Sequence, residues 1–146
     1  MSTDAQIETE IQAKGLTAGP RVTPADVEMA IASEHYFTAG DGVTNQAMGF
    51  AMANNMDAID RLTAALPVLN LLTFCVLVLR SGFTVTGENT CVSAQNFDPE
   101  LGRRLAREAA VDKVWEFLGF ELKERLHQQA RAPHPLDQQM GDRHGG

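Results

Sequence analysis

The chain has 146 residues, of which 44% are hydrophobic, and its formal net charge is −7 at pH 7. One small domain is the natural expectation for this length and composition. The acidic balance disfavours general nucleic-acid binding and adhesion to anionic membranes, because both need a basic surface. The apolar run over residues 66–79 is shorter than the roughly 20 residues that a membrane span needs. The polar, acidic start MSTDAQIETE does not resemble a signal peptide, so we expect a soluble protein inside a cell.

Three segments are predicted along the chain. Residues 1–20 are expected to form a mobile arm, in which a short helix over Ala5–Lys14 would end at Gly15. Residues 21–130 are expected to fold as a single α+β domain. The tail over residues 131–146 is too poor in apolar side chains to bury a core, and we expect it to be disordered.

A first helix is predicted to begin at Thr23. This residue is a suitable N-cap, Pro24 suits the first helical position, and Asp26 lies in the first turn. We expect the helix to fade near Phe37, before a glycine-rich stretch.

A second helical pattern covers residues 47–66, where apolar side chains recur every three to four positions. Pro67 is expected to end this helix. Its methionines suit an adaptable surface for a partner, although they could equally be core filler. They are Met48, Met52 and Met56.

Residues 71–92, LLTFCVLVLRSGFTVTGENTCV, carry the strongest local signal. Two β-rich runs meet at Ser81-Gly82, and a two-residue link that contains Gly predicts an antiparallel hairpin. Such a turn would place Cys75 opposite Glu88. The two cysteines would then not be partners, and free thiols fit a reducing compartment.

That register divides the hairpin into two faces. The first is predicted to face the core and comprises Phe74, Val76, Val78, Phe83, Val85 and Cys91. The second mixes apolar and polar residues, namely Cys75, Leu77, Leu79, Thr84, Thr86, Glu88 and Thr90. Because the first strand is apolar on both sides, both sides should be covered, by the 47–66 helix or by a second copy of the chain. We favour a homo-oligomer, since an isolated two-stranded hairpin is marginal in water.

A long last helix is predicted from Asp98, which would act as N-cap before Pro99 at the first helical position. Glu100 suits the positive end of the helix dipole. Gly119 could kink or split the helix. Its apolar stripe comprises Leu101, Leu105, Ala109, Val114, Leu118, Leu122 and Leu126.

The sequence does not support enzyme chemistry. Ser33 lies two positions before His35, but no acid completes a nucleophile constellation. The glycines form no phosphate loop or dinucleotide motif. No histidine has metal-ligand spacing with a cysteine or carboxylate. We therefore expect a protein without catalytic residues, metal site or cofactor. The four histidines are His35, His127, His134 and His144.

Three arginines, Arg103, Arg104 and Arg107, are grouped in this acidic chain. Arg103 and Arg107 share a helix face, and guanidinium groups bind phosphate in a bidentate manner. The start of a helix adds free backbone N–H donors. The same arginines could instead pair with Glu100 and Glu108 within the helix.

Phe83 could stack on a nucleobase, or it could be a core residue of the first hairpin face. Asn96, Thr84 and Thr86 could supply polar contacts to a ligand. The Asn96-Phe97 pair could instead serve the fold, with Phe97 packing back on the last helix as a hydrophobic staple.

Residues 22–37 and 71–126 resemble a small family of phage and prophage proteins, known by the gene-forty-nine and gene-sixty-six names of two phages. The motifs TFC…L…GFTVTGE…C and NFD…GR..A...A..K.W carry this resemblance. Residues 43–68 correspond to a variable helical insert. The resemblance implies a phage accessory protein that acts in the host bacterial cytoplasm.

In its layout the chain is also similar to the Thoeris anti-defence type of phage sponge. Those proteins are non-enzymatic oligomers that bind cyclic ADP-ribose-type or cyclic oligonucleotide signals between subunits. The similarity implies a homo-oligomer that sequesters a phosphorylated nucleotide, without nucleic-acid or membrane partners. The residues implied to bind it are Arg103, Arg104, Arg107, Phe83, Thr84, Thr86 and Asn96.

One feature departs from a sponge. The Ala109-Ala110 step is small and apolar, where a polar side chain would help a phosphate site. The alternative function is that of an accessory interaction module, which binds a host protein and has no small-molecule ligand.

Overall fold

A computed structural model of the chain describes residues 3–49 and 55–131. It has the predicted α+β architecture. One compact unit covers Thr23–Trp115, and a second combines the segments before and after it. In chain order, the elements are α1 (Thr3–Ala13), α2 (Pro24–Ala30), β1 (Ile31–Thr38), α3 (Ala39–Gly49), α4 (Met56–Leu69), β2 (Leu72–Leu79), β3 (Thr84–Thr90), a 3₁₀ turn (Ala94–Asn96) and α5 (Pro99–Ala130).

Helix α2 begins as predicted but ends early. The Thr23 hydroxyl accepts the Asp26 N–H, and the Asp26 carboxylate accepts the Thr23 N–H, which makes a reciprocal capping box. The prediction that this helix lasts to near Phe37 is wrong, because Ile31–Thr38 forms strand β1. Its β-branched and aromatic residues favour extended chain, and pairing with β2 satisfies its backbone.

The three strands form an antiparallel sheet in the order β1-β2-β3, with β2 in the centre. The third strand of this sheet is one reason why the hairpin is not isolated. On β1, Tyr36 lies opposite Cys75 and Phe37 lies opposite Phe74. The two phenylalanine rings stack with centroids 5.2 Å apart.

The hairpin is confirmed, but its loop has three residues instead of the predicted two. The Leu79 N–H donates to the Phe83 carbonyl at 2.8 Å, and the Gly82 N–H donates to the Leu79 carbonyl at 2.9 Å. Gly82 has a φ of 90°, which only glycine adopts readily. The extra residue shifts the register by one, so Cys75 lies opposite Gly87 and not opposite Glu88.

A shift of one residue exchanges the two faces of a strand. The buried side, here called the helix face, comprises Thr73, Cys75, Leu77, Leu79, Val85 and Gly87. The other side, here called the outer face, carries the half-buried Phe74, Val76 and Val78 and the exposed Thr84, Thr86 and Glu88. The predicted assignment of Phe74, Val76 and Val78 to the core is therefore wrong. Phe83, also assigned to that face, is 55% exposed beside the hairpin loop.

Helix α5 packs closely on the helix face. A Cβ atom on Gly87 would lie 2.1 Å from the Ala106 carbonyl oxygen and 2.3 Å from the Ala110 nitrogen. Ala106 and Ala110 are fully buried. Only glycine in the strand and small residues in the helix allow the two backbones to approach this closely. Close packing thus accounts for the small, apolar Ala109-Ala110 step.

The insert forms two helices where the sequence pattern predicts one. Helix α3 follows β1 directly, and α4 begins after Asn55, whose side chain accepts the Ala58 N–H. Pro67 lies inside α4, which ends at Leu69, so the prediction that Pro67 ends the helix is wrong by one half-turn. Met52 and the side chain of Met48 lie outside the described residues.

Helix α5 begins as predicted. The Asp98 carboxylate accepts the N–H groups of Glu100 and Leu101, at 3.0 and 3.4 Å. The helix continues unbroken through Gly119. Cys75 and Cys91 are free thiols, as the sequence predicts.

The second compact unit contains α1, where a helix was expected within the N-terminal arm. Gly15 ends this helix with a φ of 69°, while the Leu16 N–H donates to the Ile11 carbonyl. Arg21 donates to both oxygens of Glu8, at 2.6 and 2.8 Å. These hydrogen bonds lower the pKa of Glu8 to about 2.

Candidate functional site

A cleft of about 240 Å³ lies at one end of the sheet, where β1 leads into α3 and where α5 begins. Aromatic rings, hydroxyl groups and two charged side chains of opposite sign line it. The lining residues are Tyr36, Phe37, Thr38, Asp41, Thr73, Phe97, Pro99 and Arg103. This combination suits a ligand that has a ring and an anionic group.

The start of α5 is held against the sheet by a glycine. A Cβ atom on Gly102 would lie 2.9 Å from the Thr73 hydroxyl oxygen and 3.6 Å from the Phe97 ring. Phe97 precedes the N-cap, and its ring lies beside Gly102, which is in the first turns of the helix and has no side chain to complete a hydrophobic staple. Since Gly102 sits against the sheet, the next residue, Arg103, is placed at the cleft.

The opposite wall is formed by the start of α3. The Thr38 hydroxyl accepts the Asp41 N–H at 3.1 Å, and the Asp41 Oδ2 accepts the Thr38 N–H at 3.0 Å. This is a second capping box, with the same residue types and spacing as the one at α2. Gly42 follows, and a Cβ atom on it would lie 3.5 Å from the Phe37 ring. The capping box therefore fixes the Asp41 carboxylate at the cleft.

The two arginines that share a face of α5 have different surroundings. The Arg107 Nε donates to Glu34 at 2.8 Å, and its Nη2 donates to Glu28 at 3.0 Å. Within the described residues, Arg103 forms no ion pair with an acidic side chain. The charge of Arg107 is thus matched inside the protein, whereas no acidic side chain of residues 3–49 or 55–131 pairs with Arg103.

The Arg107 cluster (Glu28, Glu34 and Arg107) also shifts ionisation. The hydrogen bond from Arg107 lowers the pKa of Glu34. Burial lowers the pKa of Arg107, but hydrogen bonds to Glu34 and Glu28 outweigh it and raise that pKa overall. Burial also raises the pKa of Tyr36, whose hydroxyl donates to Glu34 at 3.2 Å. With these directions of shift, Glu34, Arg107 and Tyr36 keep their usual charge at neutral pH.

The structure brings together only part of the predicted ligand-binding set. Arg103 lines the cleft. Arg107 is bound to β1 and α2 and not, as the sequence alternative held, to acidic residues of its own helix. Arg104 is exposed on α5 and does not line the cleft. Thr84 and Thr86 lie on the outer face, across the sheet from α5.

Two further residues that were predicted to bind the ligand are Phe83 at the hairpin loop and Asn96 before α5. Phe83 is exposed beside the hairpin loop, at the end of β2 opposite from Thr73. Asn96 is exposed in the 3₁₀ turn that precedes α5. Neither lines the cleft. A ligand role for these two residues stays a prediction.

Sequence reasoning did not find most of the cleft. Tyr36, Phe37 and Thr38 were placed in or after a helix, and Thr73 was one residue of an apolar run. One signal was available, because Thr38 and Asp41 repeat the spacing of Thr23 and Asp26. It would have indicated a second helix start directly after Phe37.

Two negative findings concern the described residues. Residues 3–49 and 55–131 contain no group of three or more His, Cys, Asp or Glu side chains that could hold a metal ion. In the same ranges, no helix has both the length and the apolar composition to cross a bilayer.

Comparison with known proteins gives one match. No curated protein and no solved structure matches the chain. The layout similarity to sponges of the Thoeris type therefore has no further support. A family model matches residues 22–126, a range that includes the whole sheet and the cleft. Since this range is well over half of the chain, the protein belongs to the Phage protein (N4 Gp49/phage Sf6 gene 66) family.

Proposed function

We propose that this phage protein binds a phosphorylated nucleotide signal of the host, of the cyclic ADP-ribose or cyclic oligonucleotide class, and sequesters it without turnover. The observation that carries the proposal is Arg103, which has no ion pair to a described acidic residue and lines a cleft with aromatic rings. Guanidinium groups bind phosphate, and aromatic rings stack on nucleobases. Thr38 and Thr73 add hydroxyl groups of the kind that bind a ribose.

Sequestration without turnover agrees with the chemistry of the lining. The described lining residues include no histidine and no cysteine, and their one carboxylate already accepts a backbone hydrogen bond. The Asp41 carboxylate accepts the Thr38 N–H and not the Thr38 hydroxyl, so these hydrogen bonds do not activate that hydroxyl as a nucleophile. We therefore assign the cleft to binding.

The small size of the cleft favours a ligand that is bound between two copies of the chain. Ligand sites usually enclose about 300–1,000 Å³, and this cleft has about 240 Å³. Phe83, Thr84 and Thr86 lie too far from the cleft to complete it within one chain. A second copy could supply them, so the proposal includes a homo-oligomer.

Thermal melts with a panel of cyclic nucleotides test this function. A bound ligand at a hundredfold excess over Kd adds about 2.7 kcal/mol of stability, which raises the melting temperature. Arg103→Gln should reduce the shift to about half or less, because a tenfold loss of affinity leaves about 1.4 kcal/mol at the same ligand concentration. The matched change Arg104→Gln on the next residue should keep the full shift. Recovery of the unaltered ligand after heating, seen by mass spectrometry, would support sequestration. A panel without any shift, or a shift in Arg103→Gln that equals the wild-type shift, would contradict the proposal.

The alternative, a module that binds a host protein, is favoured by a different observation. Phe83 is 55% exposed beside the hairpin loop. Exposed aromatic side chains are typical anchors of protein interfaces. Under this alternative, capture of a specific host protein should be lost in Phe83→Ser and retained in Arg103→Gln.

A further inference from the structure

Asp41 places a negative charge in the same cleft as Arg103. Its Oδ2 accepts the Thr38 N–H at 3.0 Å, which holds the carboxylate in place. Asp41 and Arg103 do not form an ion pair within the described residues. The cleft therefore presents one cation and one anion, and a ligand meets both.

The charge of the ligand's phosphate decides how well it fits such a cleft. A phosphodiester carries one negative charge, which one guanidinium matches. A phosphomonoester carries about 1.5 to 2 negative charges at pH 7, because its second pKa is about 6. The additional charge has no second cation in the lining, and the Asp41 carboxylate repels it.

We propose that the cleft discriminates phosphodiesters from phosphomonoesters and that Asp41 is the residue responsible. This inference rests on the proposed function and sharpens it. Each phosphate of a cyclic nucleotide is a diester or bridging phosphate with one negative charge, and none is a terminal monoester, whereas the abundant linear mononucleotides of a cell end in a monoester. Repulsion by Asp41 would keep those competitors out of the cleft.

Asp41 also has a structural role, and the chain offers a matched control for it. Thr23 and Asp26 form the same capping box as Thr38 and Asp41, with the same pair of hydrogen bonds. Asp26 does not line the cleft. Asp26→Asn therefore reproduces the loss of a capping carboxylate without changing the charge of the cleft.

The test compares 3′,5′-cyclic AMP with 5′-AMP by isothermal titration calorimetry. These probes share the base, sugar and phosphorus atom, and differ in the charge and closure of the phosphate. Wild type at pH 7.5 should bind the cyclic form about fivefold or more tightly, the scale of a screened charge repulsion. Asp41→Asn should move the ratio of the two dissociation constants at least threefold towards one. Asp26→Asn should keep the ratio of the two dissociation constants at its wild-type value.

A second measurement uses only the wild-type protein, so it does not depend on the stability of a variant. Between pH 7.5 and 5.5 the monoester gains a proton and loses most of its second charge. Affinity for 5′-AMP should rise severalfold over this range, while affinity for 3′,5′-cyclic AMP should change little.

The outcomes separate the two proposals. Binding of both probes with an equal ratio in wild type and Asp41→Asn, or 5′-AMP affinity that does not respond to pH, would overturn the role of Asp41 and leave the proposed function standing. Failure of both probes, and of the wider cyclic panel, to bind the wild type would overturn the proposed function and this inference together.

Discussion

Arg103 and Arg107 stand one helical turn apart on α5 and look equivalent in the sequence. In the fold, Arg107 lies against β1 and α2, where Glu34 and Glu28 accept its hydrogen bonds. Arg103 lies nearer the start of the helix, where the sheet ends and a cleft opens. The comparison shows that the position of α5 on the sheet, and not the residue type, separates a structural arginine from a candidate ligand-binding one.

The position of α5 depends on Gly87, so replacing this residue should have the largest effect. Gly87→Ala would place a Cβ atom 2.1 Å from the Ala106 carbonyl oxygen, and the helix must move away from the strand. We expect a loss of about 3 kcal/mol in the free energy of unfolding, at the upper end for overpacking. Urea denaturation of wild type and Gly87→Ala measures this difference in the free energy of unfolding.

Gly119→Ala is the control for that change. Gly119 lies within α5, and a Cβ atom there would have no neighbour within 4 Å. This substitution should stabilise the protein by about 0.5–1 kcal/mol, because alanine favours helix. Equal effects of the two substitutions would mean that α5 does not pack on Gly87.

The two arginines should also differ in their contribution to stability. Arg107→Gln leaves Glu28 and Glu34 without their cation and should cost about 1 kcal/mol, since the ion pairs are partly open to solvent. Arg103→Gln should change stability by less than about 0.5 kcal/mol, as expected for an exposed residue without an ion pair to any described residue. Urea midpoints of both variants give this comparison, and equal midpoints would remove the distinction between them.

The Arg107 cluster should give a smaller, pH-dependent effect. Arg107 lowers the pKa of Glu34 in the folded state. A lowered folded pKa means that the stabilisation is present above the unfolded pKa and is lost as pH falls through the folded value. The difference in stability between wild type and Glu34→Gln should therefore be larger at pH 7 than at pH 3. A difference that does not shrink at pH 3 would show that this carboxylate does not stabilise through its charge.

The sequence predicted features that depend on local chemistry. Capping residues at Thr23 and Asp98 specify helix starts through hydrogen bonds to nearby N–H groups, and both starts are confirmed. The hairpin was also recognisable. Its register was not, because a three-residue loop with Gly82 at positive φ and a two-residue loop share the same local signal.

Features that depend on distant contacts could not be predicted in this way. Strand β1 is stabilised by pairing with β2, some 40 positions away in the chain, and its sequence alone is compatible with helix. The cleft combines residues from three separate segments, and Arg103 is the one of them that the sequence predicts to bind a ligand. The wall of the cleft around Asp41 could not be predicted without knowing where β1 ends.

Calorimetric titration of a cyclic nucleotide into Arg103→Gln and Arg107→Gln tests the central claim most directly. The account predicts that Arg107→Gln, which changes the cluster outside the cleft, binds within about threefold of wild type. It predicts that Arg103→Gln loses at least tenfold in affinity, the scale of one charged hydrogen bond to phosphate. Strong binding by Arg103→Gln, with binding lost in Arg107→Gln, would contradict it.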